Sequence, residues 1–464
     1  MNYLDKIKDI IDNYVFTILP NSFYFNDKLI FVQYDFLYKL LSKNFYKINN
    51  SNYIFNEKLY SFLDRYNPPN FLNFHDALKS DKKIILEMAM HPNNDVNVYK
   101  THFFDKIFEN KELLTKIREH KLFIFIYFGW EAEDFSFKNS ENHKSYYEIF
   151  QSIIKEYDIP NNSIVILNSN LTGYELEKKY NFNNNFVNVI FESAMELNAF
   201  KFNKFFNFNY SIEDYIQNIK KNDKVVLRLN RTNSIYRDAM LHFLYQSGLN
   251  KKSVIGHSKI KNTEQLNSFL NDCFKYSEKN PFLKPVEKYF KLKDDIVNKI
   301  MEDLPLISSN YDKAHEKQDV IFSNAPIPYD VYEKTIFSWV CTTFPSRDNY
   351  VFLNDSTFKP ILHYHPILWL TNKETIKYFR ESGYKTYSFL FNEDLITKYS
   401  SIEEKFILNV YELDRIMNMS RKKLINIIED NKDTLLQNRN LLFECRSIEN
   451  ILTKFYDIIH PNYI

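Results

Sequence analysis

The sequence predicts an α/β protein with two Rossmann-like domains facing each other across a cleft, followed by C-terminal helices. Three observations point there. Strands of five to eight residues, apolar almost throughout, alternate with helical stretches, as in a parallel sheet covered on both faces. The alternation stops near residue 197 and restarts at 224. From 401 onward only long amphipathic helical patterns remain.

Taken in order, residues 1–80 read as a helical and mixed extension ending in the turn-rich NPPNF at 67–71. An N-terminal Rossmann-like domain is expected over 81–205. KKIILEMAM (82–90) is an apolar run closed by His91-Pro92, a helix follows at 103–119, and KLFIFIYF (121–128) is the next strand. SYYEIFQSIIKEY (145–157) has helical spacing and stops before Asp158-Ile159-Pro160. The strand SIVILNS (163–169), a helix near 173–180 and the strand NVIFES (188–193) complete this half.

A C-terminal Rossmann-like domain is expected over 206–400. KVVLRL (224–229) is its first strand and TNSIYRDAMLHFLYQ (232–246) a capped helix, with Gly248 where a helix end favours a left-handed residue. SVIGH (253–257) is a strand, 261–320 is helix-rich, PILWL (366–370) re-enters the sheet, and TIKYFRESG (375–383) is a helix. Residues 401–464, with nearly balanced charges, are helices that pack back on the body.

Composition narrows the functional classes. The 464 residues are 44% hydrophobic and 26% charged, values of a folded globular chain. With 60 Lys and Arg against 59 Asp and Glu, no global basic field exists for an extended nucleic-acid surface. Only 5 glycines are present, and neither G-x-G-x-x-G nor a Walker A loop can be written with them. P-loop ATPases, kinases and standard dinucleotide oxidoreductases are thereby disfavoured. The 43 Phe and 34 Tyr accompany abundant Asn, Lys and Ile, a signature of AT-rich coding. Cys273, Cys341 and Cys445 are scattered, so a reducing, cytoplasmic setting is expected. The apolar runs are near nine residues, too short for a membrane span.

Two constellations carry chemistry. In KVVLRLNRTNSIYRDAMLHFLYQSGL (224–249) a buried strand delivers Asn230 and Arg231 to the sheet edge, and Arg237 follows in the first turn of a helix. Helix N-termini offer unpaired N–H groups, and guanidiniums grip phosphate oxygens, so this is a candidate diphosphate site built without glycine. The competing reading pairs both arginines with surface carboxylates. In NDSTFKPILHYHPILWL (354–370), Lys359 would bring a cation to the same edge and Asp355 would accept from ligand hydroxyls. The alternative is plain helix capping by Asp355 and a solvated Lys359. Glu131, after the strand 121–128, is the candidate general base. No metal is expected. His363 and His365 lack a carboxylate or Cys at ligand spacing, so packing is the reading for both, and Glu87 and His91 lack an H-E-x-x-H frame.

The Leu-Asn-Arg turn with a second Arg six residues later resembles phage-encoded proteins assigned as glycosyltransferases. Those carry a later block near T-E-K-x-F-K-P-I and a Gly-Phe-Lys-Thr-like turn. This chain has Asn-Asp-Ser-Thr-Phe-Lys-Pro-Ile at 354–361 and Gly383-Tyr384-Lys385-Thr386. YFGWEAED (127–134) and DIPNNSIVILNSN (158–170) resemble their N-terminal half. The resemblance spans most of 115–440 and implies a two-domain GT-B fold with a fucosyltransferase-type donor block. It further implies a nucleotide-sugar donor held by Asn230, Arg231, Arg237, Asp355 and Lys359, with an acceptor that is a modified DNA base, a glycan or a protein. The chain departs from the pattern at Thr342 and Ser356, which stand for an acid and a cation, and at Tyr364, which stands for a glycine. These departures give the rival expectation: a catalytically degenerate relative acting as a binding or virion structural component.

Overall fold

A computed structural model of the chain describes residues 2–18, 31–32, 36–41, 57–65, 68–90, 104–128, 146–171, 188–192, 210–229, 234–257, 259–260, 262–306, 330–342, 345–346, 351, 353, 355–398 and 401–461. It is an α/β protein with two separate, predominantly parallel sheets, and it divides into two compact units. Unit 1 comprises Met1–Ala194, Asn349–Phe352 and Phe443–Ile464; unit 2 comprises Met195–Asp348 and Leu353–Leu442.

Unit 1 is built on a seven-stranded sheet ordered β3-β1-β4-β5-β6-β7, with β2 against β4. The strands are β1 (Tyr14–Ile18), β2 (Phe31–Val32), β3 (Asn70–Phe71), β4 (Lys83–Met90), β5 (Leu122–Phe128), β6 (Ile164–Asn168) and β7 (Asn188–Phe191). All pair in parallel except β2, which runs antiparallel to the end of β4. Side chains alternate between faces along a strand. Ile84, Leu86, Leu122, Ile124, Ile126, Ile164 and Ile166 share one core with α2 (Lys111–Arg118) and α3 (Tyr146–Tyr157). On the opposite face Tyr14 meets Phe123, and Phe125 meets Phe455 of the helix Arg446–Ile459, which also packs on α1 (Tyr3–Asn13). Covering both faces is why these strands read as uninterrupted apolar runs.

The sequence sets residues 1–80 apart as an extension, yet β1 lies inside the sheet between β3 and β4. Its five residues follow α1 directly, with no turn signal to separate a strand from a continuing helix. Glu87, in β4, is buried and accepts hydrogen bonds from the amides of Leu37 and Tyr38, each at 2.7 Å, anchoring the short helix Phe36–Leu40.

Unit 2 holds a four-stranded parallel sheet ordered β11-β10-β8-β9. Its strands are β8 (Val226–Leu229), β9 (Ser253–Gly256), β10 (Phe337–Cys341) and β11 (Ile367–Leu370). Around it lie α4 (Ile212–Lys221), α5 (Ile235–Gln246), α6 (Thr263–Lys279), α7 (Asp294–Asp303), α8 (Asp355–Leu362), α9 (Lys373–Glu381), α10 (Ile402–Met417), α11 (Arg421–Asp430) and α12 (Lys432–Glu444). The terminal helices do not act as one block: those up to Leu442 belong to unit 2, and Phe443–Ile464 to unit 1. Among the described residues, no helix is long and apolar enough to cross a membrane.

Helix boundaries follow their caps. Ser234 is the N-cap of α5, its hydroxyl accepting from the Arg237 amide. Gly248, just past the C-terminus, is left-handed at φ +75, with open space where a Cβ would stand. Gly248→Ala therefore meets only the backbone penalty of that conformation. We expect a loss of about 1 kcal/mol in urea unfolding. Gly383 ends α9 in the same way, at φ 92.

Candidate functional site

In unit 2 the chain steps from β8 to β9 on one side of the sheet and from β10 to β11 on the other. The order reverses between β8 and β10, where open parallel sheets hold ligands beyond their strand C-termini. Arg237 stands at this point. It lies in the first turn of α5, is 9% exposed, and its Nη2 donates to the Cys341 carbonyl at the end of β10 at 3.2 Å. A side chain that follows β8 is thus fastened to the C-terminal end of its neighbour. The helix dipole adds partial positive charge at the same turn.

Lys359, the second expected cation, is buried at 6% exposure within α8. Asp355 is the first residue of α8. Asn230, Arg231 and Glu131 lie outside the described residues. Thr342, where the resemblance expects an acid, is buried, and its hydroxyl donates to Thr371 Oγ1 at 3.0 Å. Tyr364, where it expects a glycine, has φ +63. That left-handed backbone is what a glycine adopts without strain. Here a tyrosine accepts it, with the Arg439 guanidinium 4.4 Å over its ring and bonded to its hydroxyl.

Sequence reasoning passed over a buried polar group beside Arg237. Arg228, in β8 and fully buried, donates to the backbone carbonyl of Arg237, and both Nη atoms lie 3.4 Å from His257 Nδ1. His257 follows β9, and its Nε2 meets Asp238 Oδ1 at 3.0 Å. Arginine can only donate, so Nδ1 is the acceptor and Nε2 carries the proton that goes to Asp238. Burial, reinforced by the nearby Arg237 charge, draws Arg228 down to about 9. Burial lowers His257, with Asp238 pulling the other way. Burial raises the Cys341 thiol against the opposing field of Arg237 and Arg228. The signal that could have found this group was Arg228 itself, a cation inside the apolar strand KVVLRL.

His363 and His365 are committed to packing. His365 Nε2 donates to the Tyr332 carbonyl at 2.7 Å and its Nδ1 lies 3.0 Å from the Ser338 hydroxyl, while the His363 ring stacks on Tyr332 at 4.1 Å. Among the described residues, no three His, Cys, Asp or Glu come together in a group that could hold a metal ion. No protein-family profile, no curated protein and no solved structure matches this chain.

Proposed function

We propose that the protein is a GT-B-like glycosyltransferase whose unit 2 takes the nucleotide-sugar donor and whose unit 1 takes the acceptor. The observation that carries this reading is Arg237, fixed at the strand-order reversal by its bond to the Cys341 carbonyl. A guanidinium is a planar fork of donors whose geometry suits phosphate oxygens. Departure of a nucleoside diphosphate leaves negative charge on its terminal oxygens. Arg231, Arg237 and Lys359 neutralise that charge as it develops. Asn230 and Asp355 orient donor hydroxyls, and Glu131 takes the proton of the acceptor hydroxyl.

Titration of the full chain with UDP, GDP, ADP and CMP, with and without a divalent metal, tests the donor site. One nucleotide is expected to bind with micromolar affinity, indifferent to chelator. Arg237→Ala is expected to weaken it at least tenfold, the scale of a charge-assisted hydrogen bond. Absence of binding to all four removes the donor site from the reading.

A second reading is a catalytically silent relative that serves as a binding or structural component. The buried Thr342–Thr371 hydroxyl pair favours it, because an acid is expected at 342. Transfer of sugar from a donor panel to a hydroxyl acceptor separates the two.

A further inference from the structure

We propose that His257 is a positioning residue for the anion-binding turn of unit 2, acting through Arg228, and that its protonation releases the turn. The inference rests on the donor-site reading for the identity of the ligand. The linkage itself rests on geometry within unit 2.

The chain of contacts is continuous and has one polarity. Asp238 accepts from His257 Nε2, Nδ1 accepts from Arg228, and Arg228 also donates to the Arg237 carbonyl. Asp238 and Arg237 are neighbours in the first turn of α5. Arg228 and His257 therefore clamp that turn from both sides, onto β8 by the carbonyl and onto the end of β9 by the carboxylate. The clamp is anchored at its base, because the His257 backbone exchanges hydrogen bonds with Leu306 at 3.1 and 2.9 Å. All three side chains are fully buried, so water does not substitute for a lost partner without the turn opening.

A second proton on His257 goes to Nδ1 and turns its acceptor into a donor. Two donors, both cationic, then face each other. The charged and titratable groups facing the ring among the described residues are Arg228 from β8 and Asp238 from α5, with the Lys259 backbone from its own segment. Asp238 favours the protonated ring, and Arg228 opposes it. The contact that gives way is the one holding Arg228, and with it the Arg237 carbonyl. The amides and guanidinium of that turn lose their fixed geometry, and affinity for a diphosphate falls.

The test compares wild type with His257→Gln, whose amide can accept from Arg228 and donate to Asp238 but does not titrate. In the unliganded full chain, hydrogen exchange of peptides covering residues 234–241 is corrected for intrinsic rates at pH 7.5 and 5.5. Wild type is expected to lose protection at pH 5.5 and the Gln variant to keep it. Affinity for inorganic pyrophosphate is expected to fall about tenfold further in wild type than in the variant over the same range, the variant cancelling the ionisation of the ligand. Equal loss of protection in both proteins overturns the proposal. Pyrophosphate that fails to bind at pH 7.5, with the protection difference present, overturns the donor-site reading and leaves the clamp standing. Arg228→Lys, which keeps the charge but not the fork, is the second variant. It is expected to expose the turn already at pH 7.5, and full protection there counts against the clamp.

Discussion

Acidification alone is expected to unfold unit 2, with a midpoint between about pH 5 and 4. Four of its histidines, at 242, 257, 363 and 365, are buried. Burial draws His242 down to about 4, with Lys293 adding repulsion, and draws His365 down to about 3. Burial also lowers His363 well below its ordinary value, with His365 and Arg439 contributing, and lowers His257. In the unfolded chain each imidazole titrates near 6.5. The unfolded state therefore binds protons that the folded state refuses, and stability falls as pH drops below that value. Each fully resistant histidine costs up to about 1.4 kcal/mol per pH unit, against a total stability of about 5–15 kcal/mol. Glu393 works in the opposite sense, since burial raises its carboxyl, but it is one group against four. Trp339 and Trp369 are buried in unit 2, so their fluorescence reports the transition. His242→Phe sharpens the test. Neither ring nitrogen of His242 has a hydrogen-bond partner among the described residues, so the apolar ring removes a titrating group at little structural loss. The variant is expected to unfold at lower pH, with a shallower dependence. A midpoint below pH 3.5 in wild type, or no shift in the variant, would place the acid sensitivity on carboxylates instead.

The alternation of strand and helix was legible because each inner strand is covered on both faces. KLFIFIYF and SIVILNS carry no polar phase that could be mistaken for a helix. Where a strand was short, the signal failed. β1 follows α1 without punctuation, and β3 is two residues inside the turn-rich NPPNF. The division of the terminal helices was hidden for a different reason. Helices Lys432–Glu444 and Arg446–Ile459 follow each other with only Cys445 between them, and only tertiary packing places the boundary between the units close to it.

At the candidate site, the chain showed which cations cluster in sequence but not what they hold. Arg237 was legible as a residue in a first helical turn. Its attachment to the Cys341 carbonyl joins residues 104 positions apart, and no local pattern encodes that. Arg228, Asp238 and His257 come from a strand, a helix and a strand end. Each alone reads as a core or surface residue, and only the parallel pairing of β8 with β9 brings them together. The left-handed Tyr364 shows the converse: the sequence departs from the glycine expected there, yet the backbone conformation suited to glycine remains.

Truncating Trp339 to alanine is expected to remove about 3–5 kcal/mol, the range for deleting a large aromatic from a packed core. Trp339 is 1% exposed in β10, the strand next to the order reversal. Its ring meets Phe243 of α5 edge-on at 5.9 Å and stacks with Phe406 of α10 at 6.3 Å. Its Nε1 donates to Asn409 Oδ1 at 3.0 Å, and Asn409 in turn donates to the Lys405 carbonyl. The hydrogen bond can be separated from the packing. Trp339→Phe keeps an aromatic ring and orphans the Asn409 oxygen, and Asn409→Leu orphans the indole N–H. Each is expected to cost about 1–3 kcal/mol beyond any packing change, because a buried polar atom loses its partner. The double variant orphans neither group and is expected to recover about 1 kcal/mol or more of the summed losses. Urea unfolding of the four proteins measures this, and strict additivity would show that the bond contributes nothing. The alanine variant tests a further link. β10 ends in the carbonyl that fixes Arg237, and Trp339 ties that strand to α5 and α10. If nucleotide binding depends on Arg237 being held at the end of β10, Trp339→Ala weakens it even where the variant remains folded. Trp339→Phe, which keeps a ring against Phe243, leaves it close to wild type.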